Sequence, residues 1–291
     1  MRLATIKRAN KDRLCVVTAD GLIALADLNR VFSRDWPCDL QTLIQSGELD
    51  ALRGWWAERE PQEEAPIRKH VMRTEDATFA PLYHHPAKIW GIGLNYKEHA
   101  SDLSEKTPTV SPASFMKPDT TIIGYGDTIR IPRQSEKTTA EAELGIVIGR
   151  RCKDVARENW LDVVAGFTTI IDMTAEDILR QNPRYLTMSK SFDTFFSFGP
   201  VLVTPEEIED VLKLEVATVI NGRVHARNVV ANMTFRPDFL VSFHSEVMTL
   251  LPGDIISSGT PGAAPIQGGD VVECRIDGFS PLMNQVTDVK G

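Results

Sequence analysis

The stretch Glu141-Ala-Glu143-Leu-Gly-Ile-Val-Ile-Gly149 decides the fold of this 291-residue chain. Side chains alternate between the two faces of a strand, so Glu141 and Glu143 share one face and the apolar residues beside them share the other. A second apolar segment, residues 165–171, follows and leads into Asp172. The pattern predicts two neighbouring buried strands whose ends bring three carboxylates together.

Three carboxylates in a protein interior repel one another and lose their hydration, which is costly unless a cation joins them. Carboxylate oxygens are the ligands that hard divalent cations prefer, and three of them leave coordination positions open. Taken alone, an acidic pair on a strand usually faces water and a single aspartate usually caps a helix. Asp172, however, follows five apolar or β-branched residues, where a carboxylate needs a partner. The sequence therefore predicts a metal-dependent site at Glu141, Glu143 and Asp172.

Composition and charge describe an ordinary globular protein. Hydrophobic residues make up 42% of the chain and charged residues 25%, which is enough to build a sizeable core. The net charge of −8 argues against nucleic acid as the main partner, because phosphate binding needs a basic face. The four cysteines are far apart, and no segment has the pattern of a signal peptide or the length of a membrane span. We therefore expect a soluble, cytoplasmic protein with neither a membrane nor a nucleic-acid partner.

The first 80 residues predict a small N-terminal α+β domain without catalytic groups. Several short strands are predicted first, and the last of them covers residues 22–26. Two helices are predicted after them, over residues 38–46 and 49–59. The charged, proline-containing residues 58–66 predict a surface loop or linker. We expect the catalytic domain to occupy residues 81–291.

The second part of the chain is richer in strand signals than in helix signals. Asn221-Gly222 between two strand patterns predicts a type I′ hairpin, and Thr174-Ala-Glu-Asp177 has the spacing of a helix-starting capping box. Residues 237–250 predict a helix, and residues 271–276 predict the strand that closes the sheet. Many strands with few long helices favour a β-rich α+β fold.

Two further patterns could carry chemistry. His99 and Asp102 are three residues apart and would share a helix face, where the carboxylate could orient the imidazole to activate water; an ordinary surface pair has the same spacing. Lys190 stands among aromatic residues, either as a cation of the site or as a lysine that reaches solvent. Gly91-Ile-Gly93 lacks the third glycine of a nucleotide-binding turn, and no G-x-S-x-G motif supports a serine hydrolase.

Over residues 81–291 the chain resembles the fumarylacetoacetate hydrolase family. Eight separated motifs agree with the family pattern in order: Gly93-Leu-Asn-Tyr96 with His99, Phe115-Met-Lys117-Pro118, Glu141-Ala-Glu143-Leu, Asp172-Met-Thr-Ala, Lys190-Ser-Phe-Asp193, Asn221-Gly222, Leu251-Pro-Gly-Asp254 and Gly259-Thr260-Pro261. The resemblance implies a mixed β-sandwich roll as the catalytic domain, usually assembled as a homodimer. Residues 1–80 resemble, more weakly, the small N-terminal domain of the longer bacterial members.

The resemblance also implies roles for the residues in these motifs. Glu141, Glu143 and Asp172 correspond to ligands of one Mg²⁺ or Mn²⁺, with Ca²⁺ as a substitute, and Lys190 corresponds to the lysine beside the metal. Thr260 corresponds to a residue that holds a substrate carboxylate.

Three more assignments rest on the same motifs. His99 corresponds to the lid histidine that activates water, and Asp102 is its partner. Tyr96 and Lys117 are assigned to substrate binding.

The resemblance suggests metal-dependent hydrolysis of a carbon–carbon bond in a 2,4-dioxo acid, of the kind that occurs in aromatic catabolism and releases pyruvate. Two departures keep alternatives open. Asp102 is shorter than the glutamate usual in hydrolytic members, and Glu176 stands where the family commonly has arginine. Decarboxylation, tautomerisation or isomerisation of oxaloacetate or hydroxymuconate-type diacids is the second hypothesis. A non-catalytic metal- or ligand-binding homologue is the third.

Overall fold

The computed structural model describes residues 1–9, 11–59, 65–97 and 107–290. Strands dominate this part of the chain, as the sequence predicts. They are β1 (Arg2–Arg8), β2 (Lys11–Thr18), β3 (Gly21–Ala24), β4 (Thr78–Phe79), β5 (Ile89–Gly93), β6 (Ala113–Lys117), β7 (Ile122–Ile123), β8 (Thr128–Ile131), β9 (Thr138–Ile148), β10 (Val164–Ala175), β11 (Phe196–Val203), β12 (Glu215–Ile220), β13 (Arg223–Val229), β14 (Ile255–Ser257), β15 (Ala264–Ile266), β16 (Val271–Ile276) and β17 (Leu282–Asp288).

The α-helices are short. They are α1 (Leu25–Phe32), α2 (Leu40–Gln45), α3 (Leu49–Arg59), α4 (Ala65–Arg68), α5 (Glu176–Gln181), α6 (Leu186–Lys190) and α7 (Pro237–Val247). No helix in the described ranges is long and apolar enough to cross a membrane. All four cysteines are free.

The strands form two sheets. The larger sheet has the order β3-β2-β1-β11-β10-β9-β14-β5-β6, and β4, β7 and β15 pair with β1, β11 and β9 respectively. The smaller sheet has the order β13-β12-β16-β17-β8. This strand-rich α+β architecture confirms the predicted fold class.

β9 and β10 are the centre of the molecule. Every residue of both strands is buried. On one face, Leu144 and its neighbours pack in a core cluster with Val216 and Val272 of the smaller sheet. On the other face, Val147 packs in a second cluster that includes Leu43 of α2. Each such aliphatic side chain contributes roughly 1.5–3 kcal/mol when fully buried, so the pair is fixed from both sides.

The strands of residues 1–80 continue the sheet of the later residues. β1 pairs with β11 in antiparallel register, with Leu3 opposite Leu202. The amino terminus also donates to Thr204 Oγ1 at 2.7 Å and to Glu207 Oε1 at 2.8 Å. A separate domain over residues 1–80 stays a prediction, and these contacts cross its boundary.

Two predicted elements near the N-terminus differ from those observed. The strand expected over residues 22–26 ends at Ala24, and α1 begins at Leu25, because Leu25 and Leu28 share a helix face that is buried. The helix expected over residues 38–46 is α2, which begins at Leu40. The observed α3 has the predicted bounds.

In the later residues, the hairpin prediction is correct but the capping box is wrong. Asn221 and Gly222 have φ values of 51° and 76°, as the turn requires. Thr174 belongs to β10, and α5 begins at Glu176 without a side-chain cap. Cross-strand pairing overrides the local signal here.

The end of the chain also differs from the prediction. The strand over residues 271–276 does not close its sheet, because β17 follows and lies between β16 and β8. The predicted helix over residues 237–250 ends at Val247.

Candidate active site

Three predicted carboxylates converge where β9 and β10 pair. Asp172 lies directly opposite Glu141, and Glu143 follows two residues along on the same face. One oxygen of each of the three carboxylates lies within 4.8 Å of the others. The prediction that these groups lie at strand ends is wrong, because the ladder continues from Asp172 to Ala175. The group therefore sits within two buried strands, which fixes its geometry more tightly than a loop would.

Two buried lysines bind this carboxylate group. Lys190, the last residue of α6, donates to Glu141 Oε2 at 3.0 Å and to Asp172 Oδ2 at 2.6 Å. Its ammonium also lies 4.6 Å from the ring centroid of Phe115, a cation–π distance. Lys117, at the end of β6, donates to Asp172 Oδ1 and to the carbonyl of Met173.

The two lysines differ in acidity. Burial lowers the pKa of Lys190, but attraction to Asp172 and Glu141 outweighs burial, and the net pKa is raised. Burial dominates at Lys117 and lowers its pKa to about 8. Lys190 therefore stays a cation over the ordinary pH range.

Glu143 is held by groups outside the two central strands. Its Oε2 accepts hydrogen bonds from Ser257 Oγ at 2.5 Å and from the amide of Gly259 at 2.8 Å. Burial, followed by repulsion from Asp172 and Glu141, raises the pKa of Glu143 to about 8. The site therefore carries more negative charge than its surroundings stabilise.

Two glycines allow the close approaches at this site. Gly259 has a φ of 96°, and a Cβ there would lie 2.7 Å from Asn95 Cβ. A Cβ on Gly91 would lie 2.2 Å from the ring of Phe115, the ring that Lys190 approaches. Gly91 of the Gly91-Ile-Gly93 motif thus makes room for an aromatic side chain. This packing role agrees with the sequence prediction that the motif is not a nucleotide-binding turn.

The carboxylate group fits a divalent metal ion. When all three are ionised, three carboxylates face two ammonium groups and one negative charge is left over. Burial and repulsion from Asp172 and Glu141 disfavour that charge and raise the pKa of Glu143 to about 8. The donors are all carboxylate oxygens, which suit hard cations such as Mg²⁺ and Mn²⁺. Glu141, Glu143 and Asp172 are therefore the residues that could hold the metal.

A cavity of about 560 Å³ opens over this group. Glu141, Lys190 and Thr260 are among the residues that line it. The hydroxyl of Thr260 donates to the carbonyl of Gly262 at 3.1 Å and accepts from the Gly262 amide at 3.2 Å. The cavity has room for a small organic acid.

A second charged group lines the cavity beyond the carboxylates. The Glu176 side chain is 9% exposed and is bound by Lys137 Nζ at 2.9 Å and by Arg180 Nε at 2.5 Å. Burial raises the pKa of Glu176, but the bonds to Lys137 and Arg180 outweigh burial and lower it overall. Glu176 and Arg180 both line the cavity.

The remaining predicted site residues do not line the cavity or lie outside the described part of the chain. Tyr96 is fully buried in the core cluster between the sheets and is not among the described residues that line the cavity. Lys117 lies behind Asp172 and does not line the cavity either. The substrate-binding roles of both stay predictions. His99 and Asp102 lie outside the described residues.

Several residues at the site were not predicted from the sequence. Ser257 and Gly259 hold Glu143, and only the long-range pairing of β14 with β9 brings them there. Thr139 could have been found, because it precedes Glu141 by two residues and shares its face. Arg180 follows Glu176 by one helical turn, a spacing that the sequence does display.

The sequence model for the fumarylacetoacetate (FAA) hydrolase C-terminal family matches residues 88–287, well over half of the chain. The chain belongs to the fumarylacetoacetate hydrolase family. The resemblance predicted from the sequence motifs is therefore confirmed.

Relatives and solved structures of this family include enzymes with different reactions. A mitochondrial oxaloacetate tautomerase of Xenopus laevis is 31% identical over 272 residues, which is 90% of this chain and 82% of the relative. The crystal structure of maleylpyruvate hydrolase from Sphingobium sp. SYK-6, in complex with manganese(II) and pyruvate, has a TM-score of 0.80 at 27% identity over 99% of both chains. A 5-carboxymethyl-2-hydroxymuconate delta-isomerase from Mycobacterium smegmatis has a TM-score of 0.75 at 29% identity, again over 99% of both chains.

Proposed function

We propose that this protein is a divalent-metal-dependent hydrolase that cleaves a carbon–carbon bond in a 2,4-dioxo acid of the acylpyruvate type. The observation that carries the proposal is the position of Lys190. Its ammonium bridges Glu141 and Asp172, and Lys190 and Glu141 line a cavity large enough for such an acid. The manganese and pyruvate named with the Sphingobium hydrolase structure support the same substrate class and metal.

The reaction places negative charge on the oxygen of an enolate. Water adds to the C4 carbonyl carbon, the C3–C4 bond breaks, and C3 takes a proton, so the products are a carboxylic acid and pyruvate. A Mg²⁺ or Mn²⁺ held by Glu141, Glu143 and Asp172 would supply Lewis-acid polarisation of the 2-oxo group, and Ca²⁺ would be a substitute.

Lys190 contributes charge rather than proton abstraction. Because its pKa is raised, it enters the reaction as an ammonium and stabilises the developing enolate oxygen electrostatically. Ser257 and Gly259 orient Glu143, and Thr260 at the cavity wall receives the carboxylate beside the 2-oxo group. His99, oriented by Asp102, would take the proton from the attacking water.

The proposal is tested by assaying pyruvate release from acylpyruvates with Mg²⁺ or Mn²⁺, after chelation, and in K190Q. We expect the metal-loaded protein to release pyruvate. The variant should lose at least about a hundredfold in kcat, as enzymes do when one group that stabilises an oxyanion is removed. Undiminished pyruvate release by K190Q would contradict the role of Lys190, and pyruvate release that survives chelation would contradict the metal.

A second candidate is tautomerisation or isomerisation of a related oxo acid through the same enolate. The similarity to the Xenopus tautomerase over 90% of this chain favours it, as does the short Asp102, because a weakened dyad harms water attack more than enolisation. The variant His99→Ala separates the two candidates. Hydrolysis should disappear in this variant because it needs the base that activates water. Catalysed tautomerisation, measured as the fall in enol absorbance of oxaloacetate, should continue. Turnover of any oxo acid would exclude a non-catalytic binding protein.

The homodimer and the cytoplasmic location expected above belong to the same proposal. Neither is needed for the chemistry, and sedimentation of the purified protein tests the dimer.

A further inference from the structure

A fully buried asparagine, Asn95, joins three segments of the chain beside the carboxylate group. It follows β5, and its side chain bonds to the turn after β14 and to the segment that leads into α7. Its Nδ2 donates to the carbonyl of Phe235 at 2.9 Å and to the carbonyl of Ser258 at 2.7 Å. Its Oδ1 accepts from the amide of Phe235 at 2.8 Å. Both donor hydrogens of this side chain are therefore used on backbone groups.

The contacts with Phe235 fix the direction in which the side-chain amide of Asn95 points. Phe235 offers both its N–H and its C=O to this amide, so a rotated side chain would bring two donors together and two acceptors together. The backbone carbonyl of Asn95 also accepts from the amide of Thr234 at 2.8 Å. The donor hydrogen that reaches Ser258 is therefore held in one direction.

The carbonyl of Ser258 belongs to the same peptide unit as the amide that holds Glu143. Asn95 binds the oxygen end of this unit, and its other end, the Gly259 N–H, donates to Glu143 Oε2 at 2.8 Å. A trans peptide is planar, and its C=O and N–H point to opposite sides. Fixing the oxygen therefore orients the hydrogen. A donor at the carbonyl also polarises the peptide, which strengthens its N–H as a donor.

Gly259 needs such an anchor because it lies beyond the end of a strand. Ser257, the other donor to Glu143, is the last residue of β14 and is fixed by pairing with β9. Gly259 is past that ladder, and a Cβ on it would lie 2.7 Å from the Cβ of Asn95. The two donors to Glu143 are thus held in different ways, one by a sheet and one by a side chain.

We propose that Asn95 is a positioning residue of the metal site, which acts on Glu143 through the peptide between Ser258 and Gly259. Asn95 donates to the carbonyl of this peptide, the amide of the peptide donates to Glu143, and the carboxylate is kept in the direction that a metal ligand needs. The inference rests on the proposed function, because Glu143 as a metal ligand is part of that proposal.

A buried asparagine can also serve only to satisfy backbone groups. Asn284 has this simpler role. It is 1% exposed, and its Nδ2 donates to the carbonyls of Gly124 and Asp127 at 2.7 and 2.8 Å. Neither carbonyl belongs to a peptide whose N–H bonds to a carboxylate of the site in the described part of the chain. Asn284 matches Asn95 in burial and in the bonds it donates, and it is therefore the control.

The test compares the variants Asn95→Ala and Asn284→Ala. Each removes two donors from buried carbonyls and keeps the Cβ, so the packing of residue 95 on Gly259 remains. Mn²⁺ affinity is measured by calorimetric titration at a temperature at which circular dichroism shows the variants to be folded. We expect N95A to bind Mn²⁺ about 10–100-fold more weakly than the unmodified protein, as happens when a group that orients a metal ligand is lost. N284A should bind Mn²⁺ within about twofold of the unmodified protein, because distant sites act independently.

A second measurement follows the Gly259 amide itself. Its hydrogen exchange is recorded by NMR in metal-free protein that contains isotope-labelled glycine. The unmodified protein should slow this exchange at least about a hundredfold relative to an unstructured amide, because the amide is bonded in a buried site. N95A should lose at least about tenfold of this protection, whereas N284A should keep it. A freely exchanging Gly259 amide in the unmodified protein would contradict the inference even if N95A does not fold.

The results separate the role of Asn95 from the proposed function. If N95A binds Mn²⁺ as tightly as N284A does, Asn95 is a structural residue alone, and the inference is wrong while the metal site stands. If the unmodified protein binds no Mn²⁺, the proposed function fails and the role of Asn95 with it. Weaker Mn²⁺ binding and faster exchange of the Gly259 amide in N95A, with neither change in N284A, would support the inference.

Discussion

Glu141 and Asp172 are direct cross-strand partners on β9 and β10, and both carboxylates bind the same ammonium group, that of Lys190. Directly opposed like charges destabilise a sheet, and here both are removed from water. Lys190 offsets this repulsion in part, and Glu143 adds a third carboxylate beside the pair. The site is thus stabilised by positive charge.

Chelation should make the stability of the protein depend on the ionisation of Glu143. Its pKa is about 8 in the folded chain and ordinarily about 4.5, so the folded chain retains a proton that the unfolded chain has lost between these values. The contribution of Glu143 to the free energy of unfolding should therefore be fully present below about pH 4.5 and be lost as the pH rises to about 8, by several kcal/mol in order of magnitude. Thermal unfolding in chelator at stepped pH measures this slope.

Glu143→Gln is the control for that slope. The variant lacks the titrating group, so its unfolding temperature should vary less with pH than that of the parent protein. Saturating Mn²⁺ should abolish the slope in the parent, because the metal displaces the proton. An identical slope in E143Q would assign the effect to another group.

Ser257→Ala should weaken metal binding without removing a ligand. The Ser257 hydroxyl donates to Glu143 Oε2 at 2.5 Å, and the loss of such an orienting partner typically costs about 10–100-fold in metal affinity. Calorimetric titration with Mn²⁺ measures the change. Ser245→Ala removes a buried hydroxyl that bonds to backbone groups away from the site, and its Mn²⁺ affinity should equal that of the parent. Equal affinities for both variants would contradict the orienting role.

Thr139→Val should stabilise the protein. The variant removes a buried hydroxyl without a partner in the described structure, a group that costs about 1–3 kcal/mol. Thr168→Val is the matched control, because the buried hydroxyl of Thr168 donates to the carbonyl of Val201 at 2.9 Å. The control should lose about 1 kcal/mol of unfolding free energy in denaturant titration. Destabilisation of T139V to the same extent would show that its hydroxyl is bonded.

His244 should make the folded protein less stable in acid. Burial lowers its pKa below the ordinary 6.5, although its bond to the Leu240 carbonyl opposes this. As the pH falls through 6.5, the unfolded chain gains a proton that the folded chain resists, so the free energy of unfolding falls. Mn²⁺ should be present at saturation to suppress the opposite effect of Glu143.

The readout for this prediction is the difference between variant and parent. His244→Asn should lose stability less steeply between pH 7 and pH 5 than the parent, whatever its stability at pH 7. His225, on the exposed strand β13, is the comparison residue, and H225N should keep the slope of the parent. Parallel slopes for parent and H244N would contradict the assignment.

The sequence predicted the carboxylate group because its signal is local. Alternation on one strand places Glu141 and Glu143 on the same face, and a run of apolar residues leads to Asp172. The sequence could not place the three within the strands, because the last part of β10 is extended by its pairing with β9 rather than by its own pattern. The same pairing draws Thr174 into the strand and away from a helix cap.

Other parts of the site depend on contacts between distant residues. Lys190 ends α6, a helix of five residues that has no recognisable sequence signal. Ser257 reaches Glu143 through a strand pairing across more than a hundred residues. Because Glu176 stands where the family commonly has arginine, the sequence suggested a reversed charge near the site. In the structure, Lys137 and Arg180 both bind Glu176 and compensate its negative charge. Local sequence patterns predict the carboxylates of the site, whereas contacts between distant residues determine which other side chains surround them.

An anomalous-scattering map from crystals of the protein grown with Mn²⁺ and pyruvate would show whether the three carboxylates hold the metal. We expect one manganese peak in contact with Glu141, Glu143 and Asp172. We also expect pyruvate oxygens at the open coordination positions and the Lys190 ammonium beside the pyruvate. A map without manganese at these carboxylates, with Lys190 still bridging Glu141 and Asp172, would contradict a metal-dependent active site at this position.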